Sequence, residues 1–254
     1  MELLGGPGMI TRAVLFFFTL TLQLPCEAQT DHELRPAREI GFVGGGVATM
    51  AAGRYIVLER PVDPLFIHDP SRVPGIDQGT LGNWSIAAHT TSDVLLGLTF
   101  AASMTVATLN QHGQDPFLPG AIIMETGLIT TGVTILVKHA VARPRPYLYQ
   151  PEVSLGERPL TDGMVSFWSG HTATAAAVGF SCANLVQRSD ASTALKTVTW
   201  VAAATLPAAV GYYRVRSGRH FPTDVLTGYA FGALVGWAVP YFHRAEKKRR
   251  PLVE

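Results

Sequence analysis

The stretch RSGRHFPTDVLTGYAFG, residues 216–232, places two arginines, a histidine and an aspartate directly before or at the start of an apolar run. Pro222 suits the first position of a helix, where its missing N–H would have no partner and its backbone angle is already helical. Glycine recurs every four residues from Gly228 to Gly236, so these glycines share one helix face and permit close backbone packing. The stretch therefore predicts a tightly packed apolar helix with a polar site at its N-terminus.

This predicted helix is the last of several apolar segments in the chain. Hydrophobic residues make up 47% of the sequence and charged residues only 15%, whereas charged residues are about 25% of a typical soluble domain. Five stretches are helix-length, apolar and nearly free of charge: 94–109, 117–137, 172–186, 198–213 and 225–242. We expect an all-α, antiparallel helical bundle with a core of five to six helices, embedded in a membrane. The net charge of +1 gives no support for a nucleic-acid partner.

The N-terminus has the features of an export signal. A basic residue precedes the short apolar run 13–24, and small residues at Cys26 and Ala28 suit cleavage. We therefore expect residues 1–28 to be a signal peptide or a retained anchor. After cleavage Cys182 would be the single cysteine, so it would have no partner for an internal disulfide.

Residues 29–90 form an N-terminal segment before the five apolar stretches. Within it, 41–58 predicts one apolar Gly-rich helix that contains Arg54, and 59–90 carry four prolines and predict an irregular loop. If the signal is cleaved, a spanning 41–58 would invert the topology of everything after it. Either 13–25 is retained as the first span, or 41–58 does not cross the membrane.

Polar residues cluster at the junctions between the apolar stretches. In an antiparallel bundle, the exit of the second stretch, the entry to the third and the turn joining the last two lie at the same end. Three cations with few acids nearby, Lys138, Arg145 and Arg214, suit a phosphate pocket at that end. Ser169 and Gly170 lie at an expected helix start, where unpaired N–H groups favour an anion.

Two histidines beside this pocket supply the chemistry. Asp224 follows His220 by four residues and can hold one imidazole nitrogen, which leaves the other nitrogen free to attack phosphorus. His171 can donate a proton to the leaving oxygen. These groups together describe phosphoryl transfer without a metal, so we expect no metal and no other cofactor.

Other charged residues near these junctions are assigned to the structure rather than to the site. Arg143, Arg216 and Arg219 are interpreted as a solvated rim. Glu125, which lies inside an apolar stretch, is expected to be a paired structural carboxylate. His139 is next to the site but outside its pattern.

In order and spacing, the site residues resemble the signature of the type 2 phosphatidic acid phosphatase and vanadium haloperoxidase superfamily. Its motifs are Lys, six residues and Arg-Pro; Pro-Ser-Gly-His; and Ser-Arg, five residues, His, three residues and Asp. This chain matches them at Lys138, Arg145, Pro146, Ser169, Gly170, His171, Arg214, His220 and Asp224. Trp168 and Tyr213 stand where the family has proline and serine.

The resemblance implies the family's membrane-type lipid phosphatase branch and a role for each residue. His220 would form a phosphohistidine oriented by Asp224, and His171 would protonate the leaving group and then activate water. Phosphate would be held by Lys138, Arg145, Ser169, Gly170 and Arg214. The expected substrate is a phosphate monoester or a pyrophosphate. We expect its organic part to be a lipid, and other phosphate esters are the alternative. The alternatives are a soluble exported acid phosphatase, a vanadium haloperoxidase and a non-catalytic membrane protein.

The distribution of basic residues predicts the orientation of the bundle. Residues 91–243 contain the expected catalytic bundle, and 244–254 form a basic tail. The tail and the segment 187–196 lie at the end opposite to the motifs, and basic residues accumulate on the cytoplasmic side of a membrane. We therefore expect a protein of the bacterial inner-membrane type, in contact with membrane lipids, whose active site faces the periplasm. A soluble periplasmic enzyme is the alternative.

Overall fold

The computed structural model describes residues 32–57, 68–110, 115, 117–150 and 162–245. The expected export signal at 1–28 and most of the basic tail lie outside these residues. The described residues form helices and no sheet, with one isolated antiparallel bridge between His32 and Arg244. The helices are α1 (Pro36–Val57), α2 (Gly75–Gln78), α3 (Ile86–Leu109), α4 (Phe117–Val141), α5 (Gly170–Gln187), α6 (Thr193–Arg216) and α7 (Pro222–Phe242).

All five apolar stretches are helices, as the all-α prediction requires, and several begin earlier than the apolar pattern indicates. Helix α3 begins at Ile86, inside the segment expected to be irregular, because the Ser85 hydroxyl accepts a hydrogen bond from the Ala88 N–H at 3.1 Å. Ser192 caps α6 in the same way. A capping hydroxyl satisfies a backbone donor that would otherwise have no partner, so it extends a helix beyond its apolar core. Residues 41–57 of the Gly-rich segment lie within α1, as the prediction of one apolar helix there requires.

Helix α5 lies at the centre of the bundle and contacts α3, α4, α6 and α7. Its sequence is rich in alanine, with glycine, serine and threonine among its buried residues. Small side chains let neighbouring helices approach closely on several sides at once. A helix surrounded in this way needs little apolar bulk of its own.

The closest of these contacts joins α5 to the glycine face of α7. A Cβ added to Gly228, Gly232 or Gly236 would overlap the carbonyl oxygen of Ser169, Ala173 or Ala177, respectively. The predicted packing role of the regularly spaced glycines is therefore confirmed. The close contact also fixes the register of the two helices.

The other end of the bundle is joined by a buried ionic cluster. The His243 Nε2 atom lies 3.0 Å from a carboxylate oxygen of Glu125 on α4 and 3.0 Å from one of Glu39 on α1. Glu125 is thus a paired structural carboxylate, as predicted. The cluster ties α1 and α4 to the end of α7, some 20 residues away from the N-terminus of α7.

Among the described residues, four segments are long and apolar enough to cross a membrane by length and composition: Ile86–Leu109, Phe117–Tyr149, Thr193–Arg216 and Pro222–Phe242. Large apolar side chains on their outer faces remain exposed, including Leu98 at 62%, Val198 at 61% and Leu234 at 60%. Apolar surface on this scale is what a lipid bilayer covers. The bundle therefore has the surface of a membrane-embedded protein.

Replacing Gly232 by alanine tests the contact between α5 and α7. The new Cβ meets backbone atoms of Ala173, which cannot rotate away, so we expect a loss of roughly 1–3 kcal/mol in unfolding free energy from overpacking. The measurement is thermal unfolding of the detergent-solubilised protein. Gly97→Ala is the matched control, because no atom lies within 4 Å of its added Cβ and alanine stabilises a helix by about 0.5–1 kcal/mol over glycine. Equal melting temperatures for the two variants would contradict the packing described.

Candidate active site

The predicted site residues all lie at one end of the bundle, where α4 and α6 end and α5 and α7 begin. The Ser169 N–H donates a 3.0 Å hydrogen bond to the Asp224 carbonyl, which joins the starts of α5 and α7 directly. The Arg145 guanidinium donates to the Arg219 carbonyl at 3.1 Å, which joins the loop after α4 to the turn before α7. The three sequence motifs therefore form one cluster.

His220 lies at the centre of this cluster, in the turn between α6 and α7, and is 1% exposed. Burial lowers its pKa well below the ordinary value, and the positive charges of Lys138, Arg145 and Arg214 lower it further. The imidazole is therefore neutral at physiological pH. A neutral imidazole has a free nitrogen lone pair, which a nucleophile requires.

Asp224 is held by three donors and lies close to His220 without a hydrogen bond to it. One carboxylate oxygen accepts from the Ser166 hydroxyl at 2.5 Å and from the Phe221 N–H at 2.9 Å, and the other accepts from Arg143 at 2.5 Å. The His220 Nδ1 atom is 3.7 Å from the nearer oxygen, too far for a hydrogen bond. Sequence spacing placed the carboxylate beside the imidazole, but it did not reveal these competing donors.

The start of α5 has the form that an anion site requires. Ser169 is the N-cap residue, and the helix begins at Gly170. A Cβ on Gly170 would lie 3.6 Å from Cε of Lys138 and 3.2 Å from a methyl carbon of Thr134, so glycine leaves room beside the lysine. The Lys138 Nζ donates to the Val165 carbonyl at 2.5 Å, which fixes the end of the lysine side chain.

Arg145 and Arg214 are both almost completely buried, at 4% and 3% exposure. The Arg145 guanidinium donates to the side chain of Asp162 at 2.6 Å and to its carbonyl at 2.7 Å. Arg214 contacts His89 Nδ1 at 2.9 Å, and its Nε has no hydrogen-bond partner among the described residues. Each buried guanidinium is therefore held in position by groups that the sequence motifs do not include.

His171 is paired with a carboxylate on α3. Its Nε2 lies 2.8 Å from Asp93 Oδ1, and the same oxygen is 3.5 Å from Arg214. His89, Ser92 and Asp93 project from one face of α3 toward Arg214, at helical spacings of three and four residues. Sequence analysis missed this contribution because all three residues precede the apolar stretch 94–109, and the helix start at Ser85 would have been the signal to place them on α3.

The expectation of few acids near the cations is wrong. Asp77, Asp93, Asp162 and Asp224 all form ion pairs at this end of the bundle. Buried cations without counter-charges are strongly unfavourable, so a pocket with several of them requires carboxylates from elsewhere in the chain.

The rim interpretation also fails for two of its three arginines. Arg143 is only 18% exposed and bridges Asp77 and Asp224 at 2.8 and 2.5 Å. The side chain of Arg219 is 14% exposed and lies 3.7 Å from Asp162. Arg216 is exposed, in agreement with the interpretation.

Trp168, which replaces the family's proline, packs between α4 and α7. Its indole N–H donates to the Thr134 hydroxyl at 2.9 Å, and its ring centroid lies 4.5 Å from that of Phe231. The substitution therefore adds an aromatic wall beside the start of α5. Tyr213, in place of the family's serine, has its ring centroid 5.3 Å from that of Tyr212.

The site combines a buried neutral imidazole, a second histidine on a carboxylate, and three cations around them. Such a set can bind a phosphoryl group, attack it with a nitrogen nucleophile and move one proton.

Comparisons with known proteins identify the family of the chain. No curated protein matches the chain significantly. The crystal structure of the first transmembrane PAP2 type phosphatidylglycerolphosphate phosphatase from Bacillus subtilis aligns at 22% identity and a TM-score of 0.46, covering 94% of this chain and 98% of that one. The sequence profile of the PAP2 superfamily matches residues 120–248, about half of the chain, and this match includes every predicted site residue from Lys138 to Asp224. The chain belongs to the PAP2 superfamily.

Proposed function

We propose that the protein is a metal-independent phosphatase that hydrolyses a lipid phosphate monoester or pyrophosphate through a phosphohistidine at His220. The observation that carries this proposal is the burial of a neutral His220 among Lys138, Arg145 and Arg214, with Asp224 3.7 Å from its Nδ1. A nucleophile placed among fixed cations suits a dianionic electrophile and little else.

In the first step, the Nε2 atom of His220 attacks phosphorus and forms the P–N bond while the bond from phosphorus to the leaving oxygen breaks. His171 gives its proton to that oxygen, so the alcohol or phosphate departs protonated. Lys138, Arg145 and Arg214 stabilise the negative charge on the phosphoryl oxygens. Asp224 stabilises the positive charge that His220 acquires.

In the second step, water replaces the alcohol in the same geometry. His171, now neutral, takes a proton from water as the water oxygen attacks phosphorus and the P–N bond breaks. Asp93 accepts from His171 Nε2 and stabilises the imidazolium that forms. Inorganic phosphate leaves, and both histidines return to their starting states.

The surface of the bundle favours a lipid as the substrate. Four segments in the described part of the chain are apolar enough to span a membrane, and the cationic cluster lies at one end of them. A headgroup phosphate held at the bilayer surface lies at the same level as such a site. The fatty chains would then stay in the bilayer and need no pocket of their own.

A phosphate-release screen tests the proposed activity. The full-length protein in detergent is presented with lipid phosphates, isoprenoid pyrophosphates and soluble phosphate esters. Release from lipid substrates in preference to soluble esters supports the proposal. Equal release from both would favour a soluble exported phosphatase, and vanadate-dependent bromide oxidation without phosphate release would identify a haloperoxidase.

Chelation is expected to leave the phosphatase activity unchanged. The positive charge that phosphate requires comes from Lys138, Arg145 and Arg214, so no divalent ion is needed. The measurement is the rate of phosphate release after dialysis against EDTA. Activity lost in EDTA and restored by added Mg²⁺ or Zn²⁺ would contradict the mechanism.

His220→Ala and His171→Ala are expected to fail in different ways. Loss of the nucleophile at His220 should abolish turnover of every substrate and prevent any phosphoenzyme. Loss of the acid at His171 should cost about 10²–10⁴-fold with a poor leaving group and much less with nitrophenolate, which departs without a proton. The measurement is single-turnover labelling with nitrophenyl phosphate.

The phosphoenzyme should also accumulate in His171→Ala, because its hydrolysis lacks the base that activates water. Unfolding temperatures of both variants serve as the control for folding. Label retained by His220→Ala, or a His171→Ala variant whose rate is independent of the leaving group, would mean that these roles are assigned wrongly.

A reporter fused after Glu254 is expected to remain in the cytoplasm. Arg188, Lys196 and Arg244 lie at the end of the bundle opposite to the site, and the tail beyond 245 adds further basic residues. The measurement compares an export-dependent reporter at Glu254 with the same reporter after Arg219, at the site end. An exported reporter at Glu254 would overturn the orientation proposed.

A further inference from the structure

We propose that Asp77 and Arg143 are positioning residues that set the net charge opposite His220: Arg143 contacts Asp224, and Asp77 contacts Arg143. This inference rests on the proposed phosphohistidine mechanism and extends it to a segment, residues 68–85, that contains none of the sequence motifs.

The three charged groups form a chain inside the protein. Arg143 donates to Asp77 at 2.8 Å through one terminal nitrogen and to Asp224 at 2.5 Å through the other. Both carboxylates are 0% exposed. The guanidinium also lies 4.2 Å from the ring centroid of Phe221, the residue between His220 and α7. Both carboxylates are therefore screened from water, Arg143 is largely buried between them, and the chain ends at Asp224, 3.7 Å from His220 Nδ1.

Asp77 also forms hydrogen bonds with the first turn of α7. Its carboxylate accepts hydrogen bonds from the Thr223 N–H at 3.1 Å and from the Thr223 hydroxyl at 2.6 Å. Thr223 is directly followed by Asp224. The short helix α2 is thus attached to the helix start that carries the site.

The sum of the three charges explains why Asp77 is present. An ion pair of Arg143 and Asp224 alone would be neutral, and Asp224 would then oppose a positive charge on His220 only weakly. With Asp77 the three groups carry one net negative charge. His220 gains one positive charge when it forms the phosphohistidine, so the net charge of the chain matches the charge that develops.

Charge variants separate this role from a purely structural one. Asp77→Asn keeps the shape of the side chain but makes the net charge of the three groups zero. Formation of the phosphoenzyme should therefore slow by about tenfold or more, which corresponds to a pKa shift of one unit. KM should change little, because Asp77 has no contact with Lys138, Arg145 or Arg214. The double variant Asp77→Asn with Arg143→Gln restores one net negative charge, so it should be faster than Asp77→Asn alone.

Thr223→Val is the matched control. It removes the hydroxyl contacts to Asp77 and Arg143 and leaves every charge in place. We expect its phosphoenzyme to form at nearly the wild-type rate, even if its unfolding temperature falls. If Asp77→Asn does not fold, Thr223→Val still distinguishes the two roles of Asp77. A purely structural role predicts that Thr223→Val forms the phosphoenzyme much more slowly than the wild type.

The experiment measures the burst of nitrophenolate and the phosphoenzyme label in single turnover, with unfolding temperatures for all variants. A double variant as slow as or slower than Asp77→Asn would overturn the inference, because lost contacts add up whereas charges compensate. A wild-type protein without a phosphoenzyme would overturn the proposed function itself, and the inference with it. The wild-type measurement and the comparison of variants therefore identify which of the two has failed.

Discussion

The direct backbone contact between α5 and α7 determines the geometry of the rest of the site. Ser169 and His171 belong to one helix, and His220 and Asp224 belong to the start of the other. Glycines at every fourth position of α7 let the two backbones approach closely enough for the Ser169 N–H to reach the Asp224 carbonyl at 3.0 Å. Any side chain at these positions would separate the histidines, and small displacements in a reactive site lower rates severely.

A second constraint is the burial of charge. The site places two cations, Arg145 and Arg214, at less than 5% exposure. Such groups are tolerated only when carboxylates lie against them. This requirement explains why α3 and the segment around α2 take part in the site although the family motifs lie entirely in the later helices. Asp93 and Asp77 are what these elements contribute.

Sequence reasoning predicted the helices and the site motifs because both depend on local patterns. Apolar runs define the helices, and the fixed spacing of charged residues at their ends defines the motifs. The sequence-based prediction failed for residues whose ion-pair partner is distant in sequence. Arg143 was assigned to a solvated rim because its partner Asp77 is 66 residues away, and no local pattern connects them. The start of α3 at Ser85 was missed for a local reason. A single capping hydroxyl extends the helix beyond its apolar residues, and the apolar pattern does not show this.

Under the proposed function, the ion pairs at the site also predict which phosphates it would favour. Arg145 is paired with Asp162 and Arg214 is close to Asp93, so a phosphate that bound here would replace carboxylates around these cations rather than water. Each carboxylate carries one negative charge, whereas a phosphate monoester carries about 1.5 to 2 at neutral pH. A phosphodiester carries only one and gains little from the exchange. Because the guanidinium groups are already buried and oriented, we expect the difference in charge alone to favour the monoester or the pyrophosphate terminus over the diester.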